Sequence, residues 1–384
     1  MRIVINALSV FSGGGLTSML NLLPALDRVD GENKYILILS ARQKTVLKAV
    51  PERFDVHIVH FNPRNLLLRL LYEQMVLPFV LRRLGADWLY SIGNLTSVLA
   101  PCKVLLLIEN SNPYSALGIR WSGKERARQL ALRALGACSD RKATVIRFLT
   151  ENSRAIICAR RAIPVSRTVV IPHGVTIDMV ETARVAERSL PDRFVLTVSN
   201  IGPHKNFHTL VAAFGELVHK HNYPGRLLIV GAKLYPEYFR SLRSTIHQGQ
   251  LDERFVFLDW VDPIDLPCLY KEAELFVFPS AEETFGIPVI EAMAWGVPVV
   301  VPSPANDGSP YFIPYEELCG TAAEYFDAFN SSSLCDQMQH VLTDKPRREE
   351  MIAAGKIRAA RYRWESVASA LVGVFEERKH QVQT

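Results

Sequence analysis

Short apolar runs alternate with amphipathic helical patterns along the whole chain. In the first half the runs fall at Arg2–Leu8, Tyr35–Ser40, His57–His60, Trp88–Ser91, Val104–Ile108, Ala143–Leu149 and Val169–Ile171. They are short and apolar at successive positions, as strands buried on both faces are. Between them, residues near 17–27, 65–84, 121–137 and 151–160 carry helical spacing. The pattern restarts at Phe194–Ser199 and continues at Leu227–Val230, Phe255–Leu258, Leu275–Phe278, Val299–Val301 and Ala323–Phe326. Helical patterns lie near 206–221, 235–248, 264–270 and 287–295, and a helical tail runs from 346 to 379. This alternation predicts an α/β protein with parallel sheets covered on both faces. Two such sets in 384 residues predict two doubly wound domains, with the boundary between Pro172 and Asp192. The expected division is 1–175, 176–362 and a terminal helix over 363–384 that packs back on the first domain.

Composition narrows the class. A chain that is 48% hydrophobic and 22% charged is neither disordered, nor fibrous, nor a coiled coil. Its 6 cysteines are widely spaced, which excludes a disulfide framework and any zinc-ribbon pattern, and reads as scattered thiols in a reducing compartment. No stretch reaches the roughly 18 uncharged apolar residues of a membrane span. Leu66–Leu84 comes nearest, but Arg69, Glu73, Arg82 and Arg83 interrupt it. The first residues do not read as a secretory signal, so a cytoplasmic protein is expected.

Charge is unevenly distributed. Residues 1–175 carry 24 Lys+Arg against 11 Asp+Glu, a net of +13; residues 176–384 carry 20 against 28, a net of −8. The densest basic stretch holds Arg120, Lys124, Arg126, Arg128, Arg133, Arg141, Lys142 and Arg147, interleaved with leucines. It is compatible with solvated helix faces or with contact to an anionic membrane surface. Nucleic acid is not expected as a partner, since no zinc-finger spacing, RNP-like strand or helix-turn-helix accompanies the charge.

The most specific motif is Glu283-Thr284-Phe285-Gly286-Ile287-Pro288-Val289-Ile290-Glu291, followed by Ala292-Met293-Ala294-Trp295-Gly296-Val297-Pro298. Glu283 falls in a loop after the 275–278 strand, and Pro288 can open a helix that carries Glu291. The amides of Phe285, Gly286 and Ile287 face that helix start, where backbone N–H groups bind hydroxyls and phosphate oxygens. Ser12-Gly13-Gly14-Gly15 follows the first strand. It suits either a tight strand-to-helix turn or close approach of a ligand, and it is not a dinucleotide fingerprint.

The segment from Pro279 to Val300 resembles the retaining nucleotide-sugar glycosyltransferases of group 1, or glycosyltransferase family 4. The resemblance implies the GT-B architecture: two Rossmann-like doubly wound domains facing a central cleft, with a C-terminal helical tail. It extends to Val198–Asn206, where family members hold the donor diphosphate with an arginine and a lysine; here Asn200 stands for the arginine and Lys205 keeps the lysine. Phe257–Val261, with Trp260, resembles the segment that reads the nucleotide base, with Asp259 in place of a glycine. Pro172-His173-Gly174-Val175 resembles the family's hinge segment, where His173 either makes a hinge hydrogen bond or touches ligand. Ile108–Tyr114 resembles a segment near the reacting sugar; Glu109 and Asn110 would line the acceptor side, although Asn110 also suits a plain strand-end turn. Asn94 is a further candidate there.

The resemblance implies that the protein stabilises charge on a leaving diphosphate and positions both substrates. Lys205, Glu283 and Asn110 are then the expected catalytic residues. Gly13, Gly14, Gly15, Asn200, Lys205, Trp260, Thr284, Phe285, Gly286, Ile287 and Glu291 would hold the donor. Glu283 would accept from sugar hydroxyls and Glu291 from the ribose. No D-x-D and no His/Asp cluster with metal spacing occurs, so neither a metal nor another cofactor is expected beyond the nucleoside-diphosphate sugar itself. The expected partners are that donor, a glycan or lipid-linked glycan acceptor, and an anionic membrane touched through the basic first half. The expected function is hexosyl transfer in polysaccharide or O-antigen-type synthesis at the cytoplasmic face, and the Asn200-x4-Lys205 segment looks closest to enzymes that use GDP-mannose. A nucleotide-sugar epimerase or a non-catalytic glycan-assembly subunit remain the alternatives.

Overall fold

A computed structural model describes all residues except 12, 48–49, 112–122, 177–189, 263–264, 304–310 and 378–384. Ser12, the end of the 108–114 segment and most of the 172–192 boundary therefore lie outside the described residues. The chain divides into two compact units. One comprises the described parts of 1–114, 120–176 and 362–384; the other those of 177–361.

Unit 1 is a seven-stranded, wholly parallel sheet in the order β3-β2-β1-β4-β5-β6-β7. Its strands are β1 (Arg2–Asn6), β2 (Lys34–Ser40), β3 (Asp55–Val59), β4 (Trp88–Ser91), β5 (Lys103–Leu107), β6 (Val145–Phe148) and β7 (Thr168–Val170). Its helices are α1 (Gly13–Val29), α2 (Ala41–Val46), α3 (Leu66–Leu71), α4 (Leu77–Leu84), α5 (Gly123–Lys142) and α6 (Glu151–Arg161); a π turn, Tyr72–Val76, joins α3 to α4. The central strands are buried on both faces, which is why they read as unbroken apolar runs.

Unit 2 repeats the plan with six parallel strands in the order β10-β9-β8-β11-β12-β13. They are β8 (Phe194–Val198), β9 (Arg226–Val230), β10 (Phe255–Leu258), β11 (Leu275–Val277), β12 (Val299–Ser303) and β13 (Ala323–Asp327). Around them lie α7 (Phe207–His221), α8 (Pro236–Gln248), α9 (Leu266–Glu272), α10 (Ile287–Ala294), α11 (Tyr315–Cys319), α12 (Ser331–Thr343) and α13 (Lys345–Ala359). Phe207, Leu210, Phe214 and Leu217 turn the apolar face of α7 into the core beside Leu227, Ile229 and Leu275.

The last helix, α14 (Trp364–Glu377), returns to unit 1. It packs on α1 and buries Trp364, Val367, Ala368, Leu371 and Phe375, a stripe at helical spacing. Trp88 Nε1 donates to the Phe375 carbonyl at 3.2 Å, and the Val175 amide donates to the Tyr362 carbonyl at 2.7 Å. In both sheets the strand order reverses beside the first strand: between β1 and β4, and between β8 and β11. Loops at the carboxyl ends of those strands border the crevice that doubly wound sheets use for ligands.

Candidate functional site

In unit 2 the two loops at the reversal point carry the charged candidates. After β8 the chain passes Asn200 and a short 3₁₀ turn, Pro203–Lys205, then enters α7 through Asn206 in the left-handed region at φ 54°. Asn206 suits that position: asparagine tolerates left-handed backbone and can bond locally. Its Nδ2 donates to the Pro279 carbonyl at 3.3 Å and its Oδ1 accepts from Thr209 Oγ1 at 2.7 Å. Ser280 Oγ reaches back to the His204 carbonyl at 3.4 Å. These bonds fasten the loop after β8 to the loop after β11. Across that seam, Lys205 Nζ pairs with Glu283 Oε1; both side chains are mostly buried, 17% and 16% exposed. The Lys205 ammonium also lies 5.8 Å from the centre of the Phe278 ring. Burial, aided by the Lys205 charge, pushes His204 down to about 3, so its imidazole is neutral.

The second loop is held just as firmly. The Glu283 amide donates to the Phe312 carbonyl at 2.8 Å, and Tyr315 Oη donates to the Ser280 carbonyl at 2.9 Å. Gly286 opens α10 at φ +97°, a conformation that side chains resist, and a Cβ there would lie 3.2 Å from the Tyr315 ring. Pro288 occupies the first turn of α10, and Thr284, Phe285 and Ile287 are buried. Glu291 lies one turn on, with Oε2 accepting from Tyr270 Oη at 3.0 Å. Burial raises its carboxyl above the usual range, and the tyrosine bond opposes that shift. Asn200 Oδ1 accepts from the Ala232 amide at 3.1 Å, bracing the turn after β9. Trp260, in the loop after β10, is 64% exposed. Asp259 beside it pairs with Lys233 at 3.0 Å.

In unit 1 the glycines do not form a loop ahead of the helix, as the sequence suggests, but the first turn of α1 itself. A first turn tolerates glycine because its amides lack intrahelical partners in any case. A Cβ on Gly15 would lie 3.4 Å from Glu109 Oε1. The approach to α1 is fixed by Gln43, whose Nε2 donates to the Ala7 and Val10 carbonyls, both at 2.7 Å. Glu109 and Asn110 follow β5, and Asn94 positions their backbone. Asn94 Oδ1 accepts from both amides at 3.0 Å, and its Nδ2 donates to the Asn110 carbonyl at 2.6 Å. Burial raises the Glu109 carboxyl to about 7 even though the Arg147 charge opposes it.

Arg147 departs from the solvated basic face expected for its stretch. It is 0% exposed within β6, and donates to Tyr90 Oη (2.6 Å) and to the carbonyls of Ile171 (2.9 Å) and Pro172 (2.7 Å). A strand interior can hold an arginine only when its donors are satisfied this way. His173 takes the hydrogen-bonding alternative, its Nδ1 lying 3.1 Å from Ser18 Oγ on α1, and burial keeps it from protonating.

Residues 180–358 match the family of glycosyl transferases group 1. This segment is a group 1 glycosyl transferase domain. It holds Lys205, Glu283 and Glu291. Among curated relatives, the serotype-specific mannosyltransferase WbdA of Escherichia coli is 30% identical over 190 residues, 49% of this chain and 22% of that protein. The phosphatidyl-myo-inositol mannosyltransferase of Mycobacterium leprae is 30% identical over 214 residues, 55% of this chain and 54% of that protein. The chain thus spans from about a fifth to about half of the curated relatives it matches. The fold of the whole chain is GT-B. A glycosyltransferase of Rickettsia africae ESF-5 superposes with a TM-score of 0.73 over 98% of both chains, at 15% identity. HepE of Anabaena in complex with UDP and glucose gives 0.71 over 98% of this chain and 100% of its own, at 18% identity.

Within the glycosyl transferase domain, Lys205 and Glu283 meet directly, while Glu291 is held separately by Tyr270. Gly15 and Glu109 approach one another in unit 1, and Asn110 follows Glu109 with its side chain exposed. Sequence reasoning missed Tyr270, Tyr315, Asn206 and Arg147. Only Asn206 left a trace: an asparagine just before a helical pattern signals a cap.

Proposed function

We propose that this protein is a retaining hexosyltransferase. It moves mannose from GDP-mannose to a hydroxyl of a lipid-linked glycan in O-antigen-type or polysaccharide synthesis, at the cytoplasmic face of a membrane. The observation that carries the reading is the Lys205–Glu283 pair, fastened at the carboxyl ends of β8 and β11. Mannosyltransferases among the relatives support the sugar. In this reading the donor splits the pair: the diphosphate takes the Lys205 ammonium, and sugar hydroxyls donate to Glu283, whose two oxygens suit vicinal hydroxyls. Glu291 accepts from the ribose, and the amides of Phe285, Gly286 and Ile287 receive oxygens at the start of α10. Asn110 serves the acceptor side. Charge on the leaving phosphate falls on Lys205 and on backbone amides, so turnover should need no metal.

Thermal unfolding with GDP-, UDP-, ADP- and dTDP-sugars tests the reading. At a hundredfold excess over Kd a ligand adds about 2.7 kcal/mol, so millimolar donor registers even when it binds weakly. A rise with GDP-mannose alone, followed by acceptor-dependent GDP release that survives EDTA, is expected. No rise with any donor refutes the donor site; a rise with another nucleotide class refutes the sugar assignment; chelator-sensitive turnover refutes metal independence.

A further inference from the structure

The segment from α3 to α4 is pinned on one side and bare on the other. On its inner side Glu73, Leu77, Pro78 and Leu81 are buried, and Asn6 Nδ2 donates to Glu73 Oε1 at 2.9 Å. Gln74 adds two backbone bonds, donating to the Thr96 carbonyl at 3.0 Å and accepting from the Val98 amide at 2.9 Å. On the outer side Leu67 is 67% exposed, Leu71 51%, Met75 62% and Phe79 66%, with Leu68 and Val76 beside them.

The spacing of the bare residues is constant: every fourth position from 67 to 79. In a plain α-helix such a row drifts around the axis, because four residues exceed one turn. The π turn of Tyr72–Val76 winds more loosely, with i→i+5 bonds, and drifts the other way. The row therefore stays on one face. Scattered apolar residues on a surface need no explanation, but a contiguous strip rimmed by charge marks an interaction site.

The rim is cationic. Arg64, Arg82 and Arg83 are exposed on the same segment, and its one acidic residue, Glu73, points inward. On α5, Arg126, Arg128 and Arg133 are exposed with Leu130, and the Arg128 charge is close enough to act on Arg69. The Arg82 guanidinium lies 6.0 Å from the centre of the Phe79 ring, an aromatic and a cation at one level. Among the described residues no helix is long and apolar enough to cross a membrane.

We infer that this strip is an in-plane docking face for an anionic lipid bilayer. Leu67, Leu71, Met75 and Phe79 enter the boundary between headgroups and acyl chains, while Arg64, Arg82, Arg83 and the α5 arginines hold lipid phosphates. Large apolar side chains in a row favour a bilayer over nucleic acid, which would use the cations and leave the leucines wet. The face stands on exposure and charge alone and goes beyond the transferase reading, so each can fail without the other.

The test is co-sedimentation of the full chain with sucrose-loaded vesicles, either phosphatidylcholine alone or phosphatidylcholine with phosphatidylglycerol. Wild type should bind the anionic vesicles and release from them partly as salt rises. Leu71→Glu/Phe79→Glu should bind at least about tenfold more weakly at every salt concentration. Arg82→Gln/Arg83→Gln should lose about 30-fold at low salt, at about 1 kcal/mol for each arginine, and little at high salt. Phe79→Trp should give fluorescence that brominated acyl chains quench. It reports insertion without removing the strip, and so guards against a variant that merely misfolds. Absence of binding to either vesicle, equal binding by the Leu71/Phe79 variant, or an unquenched Phe79→Trp each overturns the inference. So does lipid-free dimerisation that the Leu71/Phe79 variant abolishes, since the strip would then be a self-contact.

Discussion

Asn94 offers the sharpest test of how unit 1 positions Glu109 and Asn110. Its side chain makes three hydrogen bonds to the backbone of Glu109 and Asn110 while its own backbone sits in the left-handed region at φ 74°. Removing the amide in Asn94→Ala loses about 1 kcal/mol for each bond and adds about 1 kcal/mol for a left-handed alanine. The expected cost is about 3–4 kcal/mol. Asn94→Asp keeps both acceptor bonds but sets a carboxylate oxygen against the Asn110 carbonyl in place of the donated bond at 2.6 Å. It should cost about 1–2 kcal/mol. Urea unfolding gives the stabilities, and hydrogen exchange of the Glu109 and Asn110 amides reads the bonds directly. Both amides should lose protection in the alanine variant and keep it in the aspartate variant. Acceptor-dependent turnover should fall while nucleotide affinity stays unchanged, because Asn94 acts only through its neighbours. An alanine cost below about 1 kcal/mol, or protection retained at both amides, refutes the positioning role.

Three further predictions concern charge. Lys205→Met should lower turnover by about 10²–10³-fold and cost about 1–3 kcal/mol by leaving the mostly buried Glu283 without its cation; Lys205→Met/Glu283→Gln should recover part of that stability, and strictly additive losses would refute the coupling. Glu291→Gln should keep the bond from Tyr270 and the melting temperature but weaken nucleotide binding about tenfold or more, as calorimetry would register; unchanged affinity removes Glu291 from the donor site. Glu109 ionises at about 7 in the folded protein against an ordinary 4.5. The folded state thus holds the proton more tightly, so its contribution is complete below about pH 4.5 and is lost as pH rises through 7. Glu109→Gln should remove that slope, worth about 1–3 kcal/mol, from melting temperatures measured between acid and neutral pH; parallel curves for the two proteins would refute it.

Apolar runs in doubly wound sheets are legible because central strands are buried on both faces, and β1, β8 and β12 announce themselves that way. The helix over 331–343 escaped notice behind its opening serines, although Leu334, Cys335, Met338 and Val341 keep helical spacing. The short α2 and α11 are too brief for periodicity to register. Within the candidate site, the 283–291 motif pointed to its two carboxylates and to the glycine that needs positive φ. It could not reveal that Lys205 and Glu283 would meet, because their contact spans a long stretch of chain and depends on strand order. Arg147 looked like one more surface cation; only the neighbouring strands and the carbonyls after β7 disclose why it is buried.

The return of α14 to unit 1 has a consequence for synthesis. The described residues of unit 1 come from both sides of unit 2 in the chain, whereas those of unit 2 all fall within 190–361. A ribosome adding about 5–20 residues per second releases α14 roughly 10 to 40 s after it has passed Thr176. During that interval the groove beside α1 and Trp88 lacks its final helix, and the elements of unit 2, β8 to α13, are all made before α14 is. The later half can therefore complete its core before the earlier half does, and the exposed groove is the surface a chaperone would have to shield.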